Sequence, residues 1–472
     1  MIASTDPNYL AAVQEIQHLG AITVTIPIPT VSPSVPAVLT SEFKRDLNNY
    51  LGALAAEPGA SAPMHSLADI IAFNTAHAQD VIKYGQTSLV SGQAVDLSDP
   101  TTFNTYAANL VNGKNANRAA IDNALNNNNL DSFMLPAQQI TGTNSRGGYV
   151  QLTIPAGYAP GTRRPVNISF HGGAFTEAKI LGIGYAYEQG TRDPSFTPVV
   201  GGVPIRLQRQ PPDVINPSFY RCAPTVPASP FAGRGSCPPG PELLAKIGTP
   251  PALGFSLEGE TATDLESRIR ARTLTSVDLT KAYLARIAVA NASGLSINAV
   301  RAINPEALAE AAASDGDVAS GTIRSPLEGL PVLINDNLDV LGMPTSAGSV
   351  ALDHSLPAAD AAVVAKLKAA GAVILGTTNT TELGGGLSTT MPQSYSSLGG
   401  EVLNPYDLQV NPGGSSAGAG SATAAGFAVA AIGTESGSGG LVTPAATMSD
   451  VALRPTIGLV SRGGELAAGG LS

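Results

Sequence analysis

Two glycine-dense loops that carry serines lie close together near the end of the chain, and they constrain its fold more than any other segment. Residues 411–440 read NPGGSSAGAGSATAAGFAVAAIGTESGSGG, in which an alanine-rich stretch of helical character joins the two loops. Glycine lets backbone N–H groups approach a ligand closely, and the neighbouring serines add hydroxyl groups. A serine nucleophile with an oxyanion site needs this combination. The alternative is a flexible low-complexity loop, which the structured flanking pattern disfavours.

The composition is typical of a folded, acidic protein. The chain has 472 residues, of which 43% are hydrophobic and 13% charged, and its formal net charge is −10. This length permits a large core, in one domain or in several. Because no basic stripe is present, we expect no nucleic-acid partner. We also expect no membrane span, and the first residues show no signal peptide, so a cytoplasmic and a secreted location both stay open.

The two cysteines, Cys222 and Cys237, lie in the Pro/Gly/Ser-rich stretch RCAPTVPASPFAGRGSCPPG. No second cysteine pair or histidine cluster accompanies them, so we expect no zinc site. If the protein is exported, the two cysteines are predicted to form a disulfide that closes a short loop. Two free thiols are the alternative.

Three stretches of the chain differ in composition. Residues 1–200 alternate between helix and strand patterns, and they include a predicted buried strand, AITVTI, at 21–26. Residues 201–254 are rich in proline and glycine and read as a linker. Patterns typical of helices and strands resume over residues 255–472, where Thr263 to Glu266 match a capping box at the start of a helix. This alternation predicts an α/β fold, with a mixed β-sheet core covered by helices.

The segment from 255 to 472 resembles the amidase signature family, in its peptide-amidase-like form. The matching stretches follow the family's usual order and read LTSVDLTKAYLARI, LEGLPVLINDNLDVLGMPTSAGS, AGAVILGTTNTTELG, MPQSYSSLGGEVLNPY, PGGSSAGAGSATAAGFAVAAIGTESGSGG and LRPTIGLVSRGG. The resemblance implies the amidase-signature fold and hydrolysis of a carboxamide C–N bond, with a small-molecule or peptide amide as substrate. It also implies no metal and no organic cofactor. It does not give an oligomeric state.

The segment from 1 to 200 resembles the C-terminal part of the same family. The stretches DSFMLPA, GYVQLTIPAGY and RRPVNISFHGGAFTEAKILGIGYAYEQGT carry this resemblance. The two halves therefore stand in reversed order, as in a circular permutant whose old termini are joined by residues 201–254. A fusion of two fragments, or a gene-model artefact, is the alternative. The last residues, SRGGELAAGGLS, stop where the family continues, so we expect part of the family core to be absent. We predict that both halves share one sheet.

The family uses a Ser–cis-Ser–Lys triad, in which a neutral lysine takes the proton relayed through the bridging serine. The bridging serine corresponds to Ser415, with Ser416 as its hydrogen-bonding neighbour at the substrate side. The lysine position corresponds to Asn335 in G-L-P-V-L-I-N-D-N. Asparagine has no titratable amine and cannot act as a base. The resemblance therefore implies an impaired amidase, and the alternative is a catalytically inactive, amidase-like binding protein.

The nucleophile is assigned with a shift of one residue. In the family pattern G-T-[DE]-x-x-G-S the serine is seventh, whereas counting from Gly433 the seventh residue here is Gly439 and Ser438 is sixth. A one-residue slip in the loop makes Ser438 the nucleophile, and Ser436 is a weaker substitute. The backbone N–H groups near Ser436 and Gly437 are the candidate oxyanion donors.

A second family pattern gives a competing interpretation. The strand PVNISF is followed by His171 and two glycines, as in the oxyanion motif of α/β-hydrolases, and residues 414–418 fit G-x-S-x-G. All five histidines precede Ser416, so no catalytic histidine follows the nucleophile. The residues before Ser416, NPYDLQVNP, are also not a strand pattern. We therefore predict that His171 is a residue at the end of a strand rather than a catalyst.

Overall fold

The structure of the chain is a computed structural model. It describes residues 1–29, 31, 36–159, 162, 164–191, 199–200, 203–204, 240–257, 260–291, 296–436 and 439–466. Cys222 and Cys237 lie outside these residues, so their pairing stays a prediction. Most of the predicted linker also lies outside them.

The helices begin where the sequence offers a capping side chain. Asp6, Asp99 and Thr275 each accept a hydrogen bond from a backbone N–H three residues further on. The helices are α1 Pro7–His18, α2 Pro36–Ala56, α3 Leu67–Ala76, α4 Ala78–Val81, α5 Thr87–Gln93, α6 Pro100–Asn126, α7 Thr141–Gly147, α8 Glu177–Gly190, α9 Gly240–Ile247, α10 Ala262–Arg270, α11 Ser276–Ala290, α12 Ala307–Ser320, α13 Ala362–Ala369, α14 Ala417–Ala424 and α15 Val442–Thr447.

The capping box of α10 lies two residues earlier than predicted. Thr261 is the N-cap, and its side chain and that of Asp264 exchange hydrogen bonds with each other's backbone N–H. The start at Thr261 places Leu265 and Ile269 against the core. Glu266 lies outside the cap and pairs instead with Arg270, one turn further along the helix.

In the part of the chain that the structure describes, the strands pair into two four-stranded sheets and two short hairpin-like pairs. Sheet I has the order β1-β3-β2-β12 and sheet II the order β11-β7-β8-β6. The strands are β1 Phe133–Pro136, β2 Gln151–Tyr158, β3 Pro165–His171, β4 Val199–Val200, β5 Val203–Pro204, β6 Val300–Ile303, β7 Pro331–Asn335, β8 Val373–Thr378, β9 Tyr395–Ser396, β10 Gly400–Glu401, β11 Ala430–Ile432 and β12 Ala452–Arg454.

The prediction of one sheet shared by both halves is wrong for the part of the chain that the structure describes, because the strands divide between two sheets. Sheet I is antiparallel, and it does join the halves: β12, from the end of the chain, pairs with β2. Sheet II contains strands of the second half alone, with β11, β7 and β8 parallel and β6 antiparallel.

The predicted strand AITVTI is also wrong. Residues 21–26 form no strand, and Ile22 is 94% exposed. The segment makes isolated hydrogen bonds instead of a ladder: the Met1 ammonium donates to Val24 O, Ile26 N donates to Met1 O, and Ala21 N donates to Ile16 O. A run of β-branched residues becomes a strand only when it has a partner strand and a surface to cover.

The halves share a hydrophobic core as well as sheet I. Helices α2, α3 and α5 of the first half contribute Leu47, Leu67 and Leu89 to one buried cluster. The same cluster contains Leu352 and Leu387 of the second half. Helix α9 lies within the predicted linker, and its Leu243 and Ile247 are buried in the cluster that includes residues of α11. Packing across the halves therefore stabilises the molecule as a unit.

The described residues contain neither a candidate membrane-spanning helix nor a candidate metal-binding cluster. None of the helices in the described part combines the length and apolar character that crossing a membrane requires. Within the described ranges, no group of three or more histidine, cysteine, aspartate or glutamate side chains is arranged to hold a metal ion.

The shared core and the β2–β12 pairing predict that the halves stay associated when the chain is cut between them. A site for a specific protease, inserted between residues 205 and 239, gives two fragments after cleavage. We expect them to coelute in size-exclusion chromatography without denaturant, because separation would expose the cluster around Leu47 and Leu387 to water. The same cut in strong denaturant is the control. Two fragments that elute apart and stay folded would contradict the interlocked fold.

Candidate functional site

The candidate site lies where three parallel strands of sheet II end. Asn335 is the last residue of β7, and in the register of the sheet it lies beside Thr378, the last residue of β8. Strand β11 ends at Ile432, beside Ile334 of β7, and leads into the second glycine-rich loop. Because the carboxyl ends of parallel strands meet at one edge, the sequence brings these polar residues together there.

The first glycine-rich loop is held against this edge by the carbonyl group of Ser415. This oxygen accepts hydrogen bonds from Thr381 N and from Thr380 Oγ1, each at 2.9 Å. The peptide bond between Gly414 and Ser415 is cis. A methyl group at position 414 would collide with the carbonyl oxygen of Gln393, so only glycine fits there.

Ser416 joins the first loop to the second. Its Oγ donates to Thr434 O at 3.0 Å and accepts from Thr434 N at 2.9 Å, while Ser416 N donates to Gly440 O at 2.9 Å. The residue is fully buried and precedes α14. Its hydroxyl therefore has a positioning role: it fixes the two loops against each other.

Asn335 is fully buried, and hydrogen bonds engage both ends of its amide. Its Nδ2 donates to Asn337 Oδ1 at 2.8 Å and to Thr434 Oγ1 at 3.3 Å. Its Oδ1 accepts from Thr378 Oγ1 at 3.2 Å. The neutral amide thus holds β7, β8 and the second loop together, but it supplies no base.

A small cavity lies between these groups. Its volume is about 10 Å³, which is about the space of one water molecule. Ser415 and Ser436 line it, together with Thr434 and Asn337, whose side chains contact Asn335. The structure therefore brings Ser415, Ser436 and the surroundings of Asn335 to one place. Gly437 and Ser438 lie outside the described residues, so their assignments stay predictions.

Glu435 holds the second loop in shape and connects it to the first half of the chain. Its Oε1 accepts from Gly439 N at 2.7 Å and its Oε2 from Leu441 N at 2.9 Å. Ser145, at the C-terminal part of α7, also donates its hydroxyl to Oε1, at 3.3 Å. The carboxylate thus orders the loop on both sides of the predicted nucleophile.

Buried carboxyl groups surround the site without lining its cavity. Burial raises the pKa of Asp336 to about 6 and that of Glu382 to about 7. Asp336 accepts from Gly348 N at 3.1 Å and from the Ser346 hydroxyl, and Glu382 accepts from Ser397 N at 2.7 Å. Among the described residues that line the cavity, none has an amine, imidazole or carboxyl group.

The structure contradicts the α/β-hydrolase interpretation. His171 ends β3, is fully buried and stacks on Phe133 with ring centroids 4.9 Å apart. Burial lowers its pKa to about 3, so the ring is neutral. No strand precedes Ser416 in the described residues 402–415, whereas the G-x-S-x-G motif requires a strand there. His171 is thus a residue at the end of a strand, as predicted.

Thr434 and Asn337 are the residues of the site that the sequence reasoning missed. Asn337 lies two residues after Asn335, in the turn that directly follows β7. That spacing was the available signal for Asn337. Thr434 immediately follows Gly433 and contacts Ser416, Asn335 and Asn337. No local pattern marks a threonine for such a role.

Comparison with known proteins gives a match for the second half of the chain. Residues 278–471 match the family model described as Amidase. A curated relative from Geobacter metallireducens, one of the subunits of glutamyl-tRNA(Gln) amidotransferase, is 42% identical over 205 residues, which cover 43% of this chain and 40% of that protein. The chain thus spans about two fifths of the length of the curated relatives it matches.

Solved structures match over a similar share. The native peptide amidase from Stenotrophomonas maltophilia is 44% identical, with a TM-score of 0.43, over 44% of this chain and 42% of that one. An amidase family protein from Bacillus anthracis is 36% identical, with a TM-score of 0.46, over 48% of this chain and 46% of that one. The resemblance of residues 1–200 to the closing part of the family, and hence the permuted order, stays a prediction.

Replacing Ser416 by alanine should destabilise the protein more than replacing Ser415. Ser416→Ala leaves the half-buried N–H and C=O of Thr434 without the Ser416 hydroxyl, and losing such a partner typically costs about 1–3 kcal/mol. Ser415→Ala is the matched control, because Ser415 makes its hydrogen bonds through its carbonyl oxygen. Urea denaturation of both variants gives the difference. Equal stability would show that the two loops do not depend on the Ser416 hydroxyl.

The buried carboxyl of Glu382 predicts a stability that falls as the pH rises. Because its pKa is raised to about 7, its contribution is present below the pKa of the unfolded chain and is lost as the pH rises through about 7. In Glu382→Gln the free energy of unfolding should fall less between about pH 5 and 8. The difference from wild type should be at most about 3 kcal/mol. The exposed Glu306→Gln is the control. An unchanged pH profile of thermal unfolding in Glu382→Gln would contradict the assignment.

Proposed function

We propose that this chain is an amidohydrolase that cleaves a carboxamide C–N bond with a serine, and that it does so slowly. The single observation that supports this is the meeting of the Ser415 loop, the Ser436 loop and Asn335 at the carboxyl edge of sheet II. The match of residues 278–471 to the Amidase family supports the reaction class. The substrate in this proposal is a small-molecule or peptide amide.

In the proposed reaction, Ser438 Oγ attacks the amide carbonyl carbon and forms the C–O bond of an acyl-enzyme. Backbone N–H groups near Ser436 and Gly437 stabilise the oxyanion. The C–N bond then breaks and the amine leaves with a proton. Water attacks the acyl carbon, restores the serine hydroxyl and releases the carboxylic acid. Ser415 is proposed to relay the proton from the nucleophile.

Slow turnover follows from the absence of a base at position 335. The proton relayed through Ser415 must reach a group that can accept it, and the Asn335 amide cannot. Its two ends are already engaged by Thr378, Asn337 and Thr434. A positioned general base typically contributes about 10²–10⁴ in rate, so the deficit should be of that order.

The second candidate is a catalytically inactive, amidase-like protein that binds a ligand or a partner. The saturated hydrogen bonding of Asn335 favours it, because the amide stabilises the fold without contributing a titratable group. Reaction with a fluorophosphonate separates the two candidates, since only an activated serine is labelled. The amidotransferase relative is by name one subunit of a larger protein; for this chain we propose an amide substrate.

The order of the two halves is part of the proposal. We infer that residues 1–200 stand for the closing part of the amidase fold and residues 255–472 for its opening part, in permuted order. The antiparallel pairing of β12 with β2 supports this, because it joins the end of the second half to the first. Glu435 and Ser145 make a second connection, directly at the site.

A lysine at position 335 should raise the rate of amide hydrolysis. Asn335→Lys supplies the missing base, and burial should lower the pKa of its amine towards neutrality. The rate on a simple anilide should rise about 10²-fold or more over wild type, and it should increase with pH as the amine loses its proton. Product release, followed by chromatography, measures it.

Asn335→Met is the matched control, because methionine has a similar length and no amine. It should leave the rate at the wild-type level, and it also shows whether the site accepts a longer side chain. Fluorophosphonate labelling should rise in Asn335→Lys alone. High wild-type activity that survives both Ser415→Ala and Ser438→Ala would show that the chemistry lies on other residues.

A further inference from the structure

A large cleft lies between elements of the two halves, apart from the cavity at Ser415. Its volume is about 810 Å³, within the range of sites that hold small ligands or short peptides. Its lining includes Pro155 of β2, Tyr185 of α8 and residues of α14 and α15. Ser415 and Asn335 do not line it, so it is a separate feature from the proposed amidase site.

The end strands of both sheets line this cleft. Ala430 and Ala431 of β11 and Ala452 of β12 all contribute to its wall. In the described part of the chain, β11 pairs only with β7 and β12 only with β2. An end strand presents backbone N–H and C=O groups that can pair with a further strand.

The hydrogen bonding of β11 shows which of its backbone N–H groups can pair with a further strand. Val429 N donates to Pro331 O, at the start of β7. Because backbone groups alternate in direction along a strand, Ala430 N points away from β7. Ala430 is also exposed. An extended segment lying in the cleft could therefore accept this hydrogen bond and continue sheet II by one strand.

The wall of the cleft is acidic. Asp450, Glu188, Glu260 and Asp264 line it, and no lysine, arginine or histidine is among the described lining residues. Glu260 pairs with Arg268 at 2.7 Å, and Asp264 serves the cap of α10. Neither of these two carboxylates therefore needs a ligand.

Asp450 differs from these carboxylates. It is 8% exposed, and its Oδ2 has no hydrogen-bond partner within the described ranges. Its backbone is fixed, because Asp450 N donates to Ala445 O and Asn167 Nδ2 donates to Asp450 O. Burial without a partner is costly and raises the pKa of this carboxyl well above its usual range. A cation beside it would restore the charged form.

We propose that this cleft binds an extended peptide segment that carries a basic side chain. The segment adds a short strand along the three residues of β11 and places a lysine ammonium against Asp450. Charge complementarity selects a basic segment, since the wall carries carboxylates and no basic side chain among its described residues. The edges of β11 and β12, which no further strand covers within the described residues, select an extended peptide rather than an isolated amine.

Fluorescence anisotropy with labelled synthetic peptides tests this proposal on the full-length chain. The probe is an acetylated seven-residue peptide of alternating threonine and valine with one central lysine. A second peptide has norleucine in place of the lysine, and a third carries N-methyl groups on alternate backbone nitrogens. We expect saturable binding of the lysine peptide, and a loss of about tenfold or more with either altered peptide.

Asp450→Asn should weaken binding of the lysine peptide about tenfold or more, and the exposed Glu306→Gln should leave it unchanged. If Asp450→Asn does not fold, the two altered peptides still decide the result on wild-type protein. Absence of saturable binding would overturn the proposal. So would binding that survives N-methylation, or competition by n-butylamine as strong as that by the lysine peptide, because either result indicates a site for a simple cation.

Discussion

The paired hydrogen bonds between Ser416 and Thr434 are the interaction on which the site depends. One hydroxyl group donates to the carbonyl oxygen of Thr434 and accepts from its N–H, so it takes the place of a partner strand at this point. Thr434 in turn contacts Asn335 at the end of β7. Through these contacts the parallel sheet fixes the positions of two glycine-rich loops, whose backbone alone would be flexible.

The two halves of the chain depend on each other in a similar way. Sheet I is completed by a strand from the end of the chain, and the cluster around Leu47 and Leu387 needs residues from both halves. Arg454 of β12 is buried and donates to Asn144 O and Tyr149 O of the first half. These contacts lie far apart in sequence, so the fold is assembled by long-range pairing rather than by local propensity.

Local features of the fold were predictable from the sequence, and pairings between distant segments were not. A capping threonine, Thr275, precedes α11, and an apolar run begins at Pro331 in β7, because caps and buried strands leave short-range patterns in the sequence. The β character of AITVTI was misleading, since no other strand lies beside it in the described part of the chain. At the site, the resemblance to the amidase signature family assigned positions to Ser415 and Asn335 through their loop and strand motifs, and these roles stay predictions. The role of Thr434 could not be predicted, because it depends on three contacts made by distant residues.

The small volume of the cavity at Ser415 has a consequence for affinity. A space of about 10 Å³ does not hold an amide group with its substituents. If a ligand of that size binds inside this cavity, it binds a form of the protein in which the Ser415 and Ser436 loops have moved apart. Its measured dissociation constant is then the intrinsic one divided by the fraction of molecules in that open form. Substitutions that loosen the loops would tighten binding while they lower stability, so affinity and stability would change in opposite directions.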